Sequence, residues 1–138
     1  MDVVFLIGRI LFAAIFLSSG IAHFAQREGM AAYAGMKGAP GGVAGVVASG
    51  AMILAGGISI VLGLWADVGA LLILAFLVPA AYYMHAFWKV DDPQQAQVEQ
   101  AQFFKNVALA GAALIILYLY WALGDDAGLS LTGPLFVK

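Results

Sequence analysis

Residues 68–87 read VGALLILAFLVPAAYYMHAF, a stretch without any Asp, Glu, Lys or Arg. An α-helix of about 20 residues crosses a hydrocarbon layer roughly 30 Å thick, so this stretch predicts a membrane-spanning helix. Pro79 lies near its middle, where a proline removes one backbone hydrogen bond. We therefore expect a kink there, which either shapes helix packing or opens a small cavity below His85.

Three further apolar segments have a similar length and lie at about residues 3–24, 43–64 and 103–123. The chain is 64% hydrophobic and 10% charged, whereas soluble domains are about half apolar and a quarter charged. Four spans with short connections predict an all-α membrane protein, an antiparallel four-helix bundle formed by a single domain over residues 1–138. A soluble all-α protein is disfavoured because few charges remain for a surface in water.

The composition also narrows the function and the partners. Six basic residues are scattered along the chain and form no basic patch, so nucleic acid is not expected as a partner. The absence of cysteine excludes thiol chemistry by this chain, and no metal-ligand spacing occurs. Arg9 lies inside the first apolar segment and no basic residue precedes it, so we interpret that segment as a retained span that contacts the lipid bilayer.

The charges of the loops predict an orientation in the membrane. Loops one and three share one side and carry or adjoin Arg27, Lys37, Lys89 and Lys105, while Arg9 and Lys138 belong to the other side. Because cytoplasmic loops carry an excess of Lys and Arg, loops one and three are predicted to be cytoplasmic.

One face of the first span carries polar residues. At about 100° per residue, the residues on this face are Arg9, Phe16, Gly20, His23 and Arg27. A charge within a span is costly when it faces lipid, so this face should point into the bundle. We expect Arg9 to form a structural ion pair with Asp67, or with Asp125 or Asp126. An anion or a quinone headgroup is the alternative partner.

The ends of the first and third spans predict a binding site. His23 ends the first span and His85 nearly ends the third, so both imidazoles reach the same side of the membrane. The residues that we expect to gather there are His23, Arg27, His85, Trp88, Lys105 and Asn106.

Three interpretations of this polar end compete. Imidazole can exchange a proton near neutral pH, so the cluster could bind and protonate a quinone or another small polar headgroup. Two histidines on two helices could instead ligate a haem, which has less support. The third interpretation is an interfacial belt of aromatic and basic groups that meets the lipid headgroups.

Small residues recur every four positions around the second span and allow helices to approach closely in lipid. They form two rows: Ala51, Ala55, Ser59 and Gly63, and Gly41, Gly45 and Ser49. Packing inside the bundle is the favoured interpretation, and a face for an oligomer is the alternative.

An ordered set of short patterns resembles the DoxX family of membrane proteins. The patterns are Gly8-Arg9 with IFLSSGI at residues 15–21, Gly38-Ala39-Pro40, Gly56-Gly57 with Gly63, and His85-Ala86-Phe87-Trp88 followed by Phe104-Lys105-Asn106. Two positions differ from the family pattern. His23 stands where relatives often carry Lys, and apolar Met52-Ile53 stand where many carry an acid that could pair with Arg9.

The resemblance implies a four-helix protein of a bacterial inner membrane. Some members of the family are subunits of quinone-linked sulfur oxidation systems, or associate with redox and detoxification enzymes. We therefore expect an accessory subunit of a quinone-linked or detoxifying redox assembly, with a redox enzyme subunit as partner. The alternative is a non-catalytic scaffold or a small-solute carrier.

Overall fold

The computed structural model describes residues 1–136, which fold into five α-helices and no β-strand. The helices are α1 (Asp2–Ala25), α2 (Arg27–Met36), α3 (Gly42–Leu62), α4 (Ala66–Met84) and α5 (Pro93–Leu123). Short 3-10 helices follow α4 and α5, at Phe87–Lys89 and Gly124–Asp126. Lys138, which entered the charge count above, lies outside the described residues.

Four of these helices, α1, α3, α4 and α5, are long and apolar enough to cross a membrane. The predicted all-α membrane protein with four spans is therefore confirmed. The contacts between α1 and α3 fit two helices that run in opposite directions, because Leu17 lies against Gly57 and the later residue His23 lies against the earlier residue Gly50. The antiparallel direction of all four spans stays a prediction.

Helix extends into both of the long connections between the predicted spans. The first loop contains α2, which follows α1 after a break at Gln26. For the third loop the sequence predicts partial helix that starts at Asp91-Asp92-Pro93, and α5 begins there and continues into the fourth span. Asp92 caps that helix by accepting a 2.8 Å hydrogen bond from the backbone N–H of Gln95, and Pro93 follows at the first helical position.

Glycines of α3 bring the neighbouring helices close together. A Cβ on Gly50 would lie 2.6 Å from the Cβ of His23 on α1, and a Cβ on Gly56 would lie 2.9 Å from the carbonyl oxygen of Gly69 on α4. Ala51 and Ala55, predicted to pack inside the bundle, are instead exposed at its surface. The other half of that row does pack inside, since Gly63 is buried and Ser59 lies against Gly69, so the predicted row packs only towards the end of α3.

The segment after α5 closes one end of the bundle. Its backbone N–H groups at Leu131 and Thr132 donate to the carbonyl oxygens of Leu62 and Gly63, each at 3.1 Å. The hydroxyl of Thr132 accepts a 3.0 Å hydrogen bond from the N–H of Trp65. The opposite end of the bundle, where α1 and α4 terminate, contains the predicted polar site.

Candidate functional site

A cavity of about 670 Å³ lies at the end of the bundle where α1 and α4 terminate. Its wall is mostly apolar and includes Pro79, which lies inside the continuous helix α4. The predicted site residues that line it are His23, His85, Lys105 and Asn106. Small-molecule sites in proteins have volumes of about 300–1,000 Å³ and a few polar groups in an apolar wall, so this cavity has the dimensions of a ligand site.

His23 is buried near the end of α1, and its ring is held in one orientation. Its Nδ1 lies 2.7 Å from the carbonyl oxygen of Ser19, one helical turn earlier. The ring of Phe76 packs against it edge to face at 5.8 Å. A carbonyl oxygen only accepts hydrogen bonds, so Nδ1 carries the proton and Nε2 of the neutral ring is an acceptor.

His85 is oriented by a carboxylate. The residue caps the C-terminal end of α4, and its Nδ1 lies 2.8 Å from Oε2 of Glu99. The other carboxylate oxygen, Oε1, accepts a 3.1 Å bond from Nζ of Lys37, which follows α2. Glu99 is 4% exposed, so α2, α4 and α5 meet at one buried acid.

The charges around Glu99 keep it ionised. Lys37 lies in the loop after α2, and Glu99 lies in the polar first turns of α5, before the apolar residues of the span. Burial raises the pKa of Glu99, but hydrogen bonds from His85 and Lys37 outweigh burial and hold the pKa below its ordinary value of 4.5. The same bond to Glu99 raises the pKa of Lys37 above 10.5, although burial opposes it.

Sequence reasoning missed Glu99 because the polar segment around it is expected to be a partly helical loop outside the membrane span, with no role for the acid. A signal was present, since Glu99, Asn106, Ala113 and Tyr120 are spaced by seven residues and all four are buried in α5. Seven residues are nearly two helical turns, so these side chains share one face. The residue that precedes Asn106 by seven positions on this face is Glu99.

Asn106 stands between two cavities. It is 7% exposed, and within residues 1–136 its side chain takes part in no hydrogen bond with another residue. The second cavity, of about 360 Å³, lies between α4 and α5 and is almost entirely apolar. Leu77 and Asn106 line both cavities. The amide of Asn106 is therefore available to a ligand in either space.

Two predicted site residues do not line the larger cavity. Trp88, on the short helix after α4, lines the apolar cavity and packs edge to face against Phe103 at 5.6 Å. Arg27 is exposed at the start of α2, where Nη1 donates to the carbonyl oxygen of Phe24 at 3.4 Å. Because α1 ends at Ala25, Arg27 does not continue the polar face of that helix.

Lys105 lines the larger cavity but is itself exposed, and its Nζ donates to Oε1 of Gln102 on the same helix. A flexible ammonium at the cavity edge can turn from such a surface contact towards a ligand.

Arg9 and Asp67 have separate partners in place of the predicted ion pair. Arg9 is 1% exposed. Its Nη1 donates to the hydroxyl of Tyr120 at 2.6 Å, and its Nη2 donates to the carbonyl oxygen of Leu129 at 2.6 Å. Asp67 accepts from the backbone N–H groups of Leu135 and Phe136, at 3.1 and 2.9 Å. Both charges therefore bind the segment after α5 instead of each other.

Within residues 1–136, no group of three or more His, Asp or Glu side chains is arranged to hold a metal ion. The two ion pairs found in that part of the chain join Glu99 to Lys37 and Glu99 to His85. The predicted groups in the wall of the larger cavity are two imidazoles, an amide and an ammonium group. All four can form hydrogen bonds with a ligand, and the imidazoles can also exchange a proton.

Comparison with protein families gives a match to the DoxX model over residues 4–86, more than half of the chain. No curated protein matches the chain, and no solved structure does. The matched region covers α1 to α4 and includes both histidines, while α5, with Glu99 and Asn106, lies beyond it. With this match and its four apolar helices, the chain is a multi-pass membrane protein that belongs to the DoxX family.

Proposed function

We propose that this protein is an accessory subunit of a quinone-linked or detoxifying redox assembly, and that its larger cavity receives a quinone headgroup. The observation that carries the proposal is the convergence of His23, His85 and Asn106 on one cavity of about 670 Å³. The proposed location is the inner membrane of a bacterial-type cell, with a redox enzyme subunit as partner.

The polar groups of the cavity suit both redox forms of such a ligand. The carbonyl oxygens of a quinone accept hydrogen bonds, which the amide of Asn106 and the ammonium group of Lys105 can donate. The hydroxyls of the reduced form donate, and Nε2 of each neutral histidine can accept. The amide of Asn106 also supports the proposal, because it lines both cavities and its donor and acceptor are available to a ligand.

The second cavity supports a ligand that carries an apolar chain. It shares Leu77 and Asn106 with the larger cavity and lies between two spans, α4 and α5. A molecule with a polar ring and a hydrocarbon tail could place the ring beside the histidines and the tail beside Trp88 and Val107. Membrane quinones have this form.

Binding of a short-chain ubiquinone analogue to the full chain in detergent tests the proposal. We expect saturable binding with one site per chain. Replacement of the buried amide, Asn106→Leu, should weaken binding about tenfold, since the loss of a hydrogen bond to a ligand has roughly this effect. Arg27→Gln is the control, because Arg27 is exposed and lies outside the cavity.

Other outcomes would identify other functions. A Soret band in the purified protein that disappears in His23→Gln and His85→Gln would indicate a haem bound through the two Nε2 atoms. Absence of quinone binding, together with unchanged quinone-dependent activity in cells that carry His85→Ala, would contradict the proposal. The remaining functions would then be a non-catalytic scaffold or a small-solute carrier.

A further inference from the structure

We propose that Glu99 is a positioning residue, which holds His85 in the tautomer that leaves Nε2 as a hydrogen-bond acceptor in the cavity wall. The role of that acceptor rests on the proposed function, because its partner would be a ligand hydroxyl. The tautomer itself does not depend on any ligand.

The contact between the two side chains determines which nitrogen carries the proton. Oε2 of Glu99 lies 2.8 Å from Nδ1 of His85, and the Glu99 side chain is 6% exposed. An ionised carboxylate can only accept, so Nδ1 must donate and Nε2 of the neutral ring has no proton. In water the neutral imidazole exchanges between its two tautomers, so a fixed partner is needed to select one.

Lys37 allows Glu99 to remain a carboxylate in a buried position. Its Nζ lies 3.1 Å from Oε1, the carboxylate oxygen that does not contact His85. A buried carboxylate that lacks a cation tends to take up a proton, and a protonated acid could donate to the histidine. The pair with Lys37 thus preserves the direction of the hydrogen bond between His85 and Glu99.

The geometry of α5 connects this contact with the rest of the site. Glu99 precedes Asn106 by seven residues on the buried face of the helix. His85 and Asn106 both line the cavity, whereas Glu99 does not. Glu99 therefore acts on a ligand through His85, in the way that carboxylates behind catalytic or metal-binding histidines fix the orientation of the ring.

The chain has only two histidines, which makes the tautomer directly measurable. Protein labelled with ¹⁵N-histidine gives nitrogen signals from two rings, and the His23→Gln variant assigns those of His85. In mildly alkaline buffer we expect a protonated Nδ1 and a bare Nε2 for His85 in the unchanged protein. A proton on Nε2, or on both nitrogens, would overturn the proposal before any Glu99 variant is made.

Replacement of the acid then tests the cause. In Glu99→Leu, the signals of His85 should move towards a mixture of tautomers, while those of His23 stay unchanged as an internal measure of folding. The matched control is Glu28→Leu, which removes an exposed acid of α2 and should leave both rings unaltered. A His85 ring that keeps its tautomer in Glu99→Leu would overturn the proposal.

Ligand binding separates this proposal from the proposed function. Glu99→Leu should weaken binding of a short-chain ubiquinol, which donates hydrogen bonds, roughly two- to fivefold, because only the fraction of His85 that keeps a bare Nε2 can accept. Binding of the ubiquinone should not weaken. Equal losses for both forms would indicate a general structural defect and contradict the positioning role. If the unchanged protein binds neither form, the quinone site is wrong, and the nitrogen signals still decide the role of Glu99.

Discussion

Tyr120 holds the buried charge of Arg9 through its hydroxyl, which accepts a 2.6 Å hydrogen bond from Nη1. Both side chains are buried, and Nε of Arg9 has no partner within residues 1–136. Tyr120→Phe should therefore destabilise the protein by about 1–3 kcal/mol, because a guanidinium that has already lost its hydration would lose a further hydrogen bond. The free energy of unfolding in detergent measures the change.

Tyr118 provides the matched control for this prediction. It lies on the same helix and is 62% exposed, and the hydrogen bonds of Arg9 go to other residues. Tyr118→Phe should change the free energy of unfolding by less than about 0.5 kcal/mol. Equal effects of the two substitutions would mean that Tyr120 does not stabilise the buried guanidinium.

At the scale of the helices, Gly56 fixes the distance between α3 and α4. A Cβ at this position would lie 2.9 Å from the carbonyl oxygen of Gly69 and 3.0 Å from Cγ1 of Ile73. A backbone oxygen cannot move aside without displacing its helix, so Gly56→Ala should cost about 1–3 kcal/mol of stability. The midpoint of thermal unfolding in detergent should fall accordingly.

Gly111 is the control at this scale, because a Cβ there would meet no atom within 4 Å. Alanine has a higher helix propensity than glycine, so Gly111→Ala should be neutral or stabilising by up to about 1 kcal/mol. A decrease in the unfolding midpoint equal to that of Gly56→Ala would show that loss of glycine, and not the close approach of α3 to α4, causes the effect.

For the whole molecule, the predicted antiparallel arrangement places Met36 and Gln94 on one side of the membrane and Asp126 on the other. The chain lacks cysteine, so single-cysteine variants at these exposed positions report one site each. In spheroplasts we expect a membrane-impermeant maleimide to label Asp126→Cys at once. Met36→Cys and Gln94→Cys should react only after permeabilisation, since loops one and three are predicted to be cytoplasmic.

Two results would contradict different parts of this prediction. Reaction of Met36→Cys and Gln94→Cys on opposite sides would exclude the antiparallel arrangement. Reaction of both before permeabilisation, with Asp126→Cys protected, would leave the arrangement intact and reverse only the orientation.

The number of spanning helices was predictable because it depends on properties of single segments. An apolar stretch of about 20 residues forms a helix in lipid, where each backbone polar group must find its partner within the segment. Arg9 and His23 could also be assigned to the buried face of α1, since helical periodicity places residues on a face before any partner is known.

The partners of those residues depended on the tertiary structure. Arg9 and Tyr120 are 111 positions apart in the chain, and the rotation of α1 and α5 about their axes decides that they meet. The same rotation of α5 buries Glu99 beside His85, and the end of α1 at Ala25 removes Arg27 from the cavity. The sequence by itself determined that four segments are long and apolar enough to span a membrane, and that His23 and His85 reach the same end. Packing between helices decided which of those groups form the site, because contacts across helices depend on rotation and register that no single segment contains.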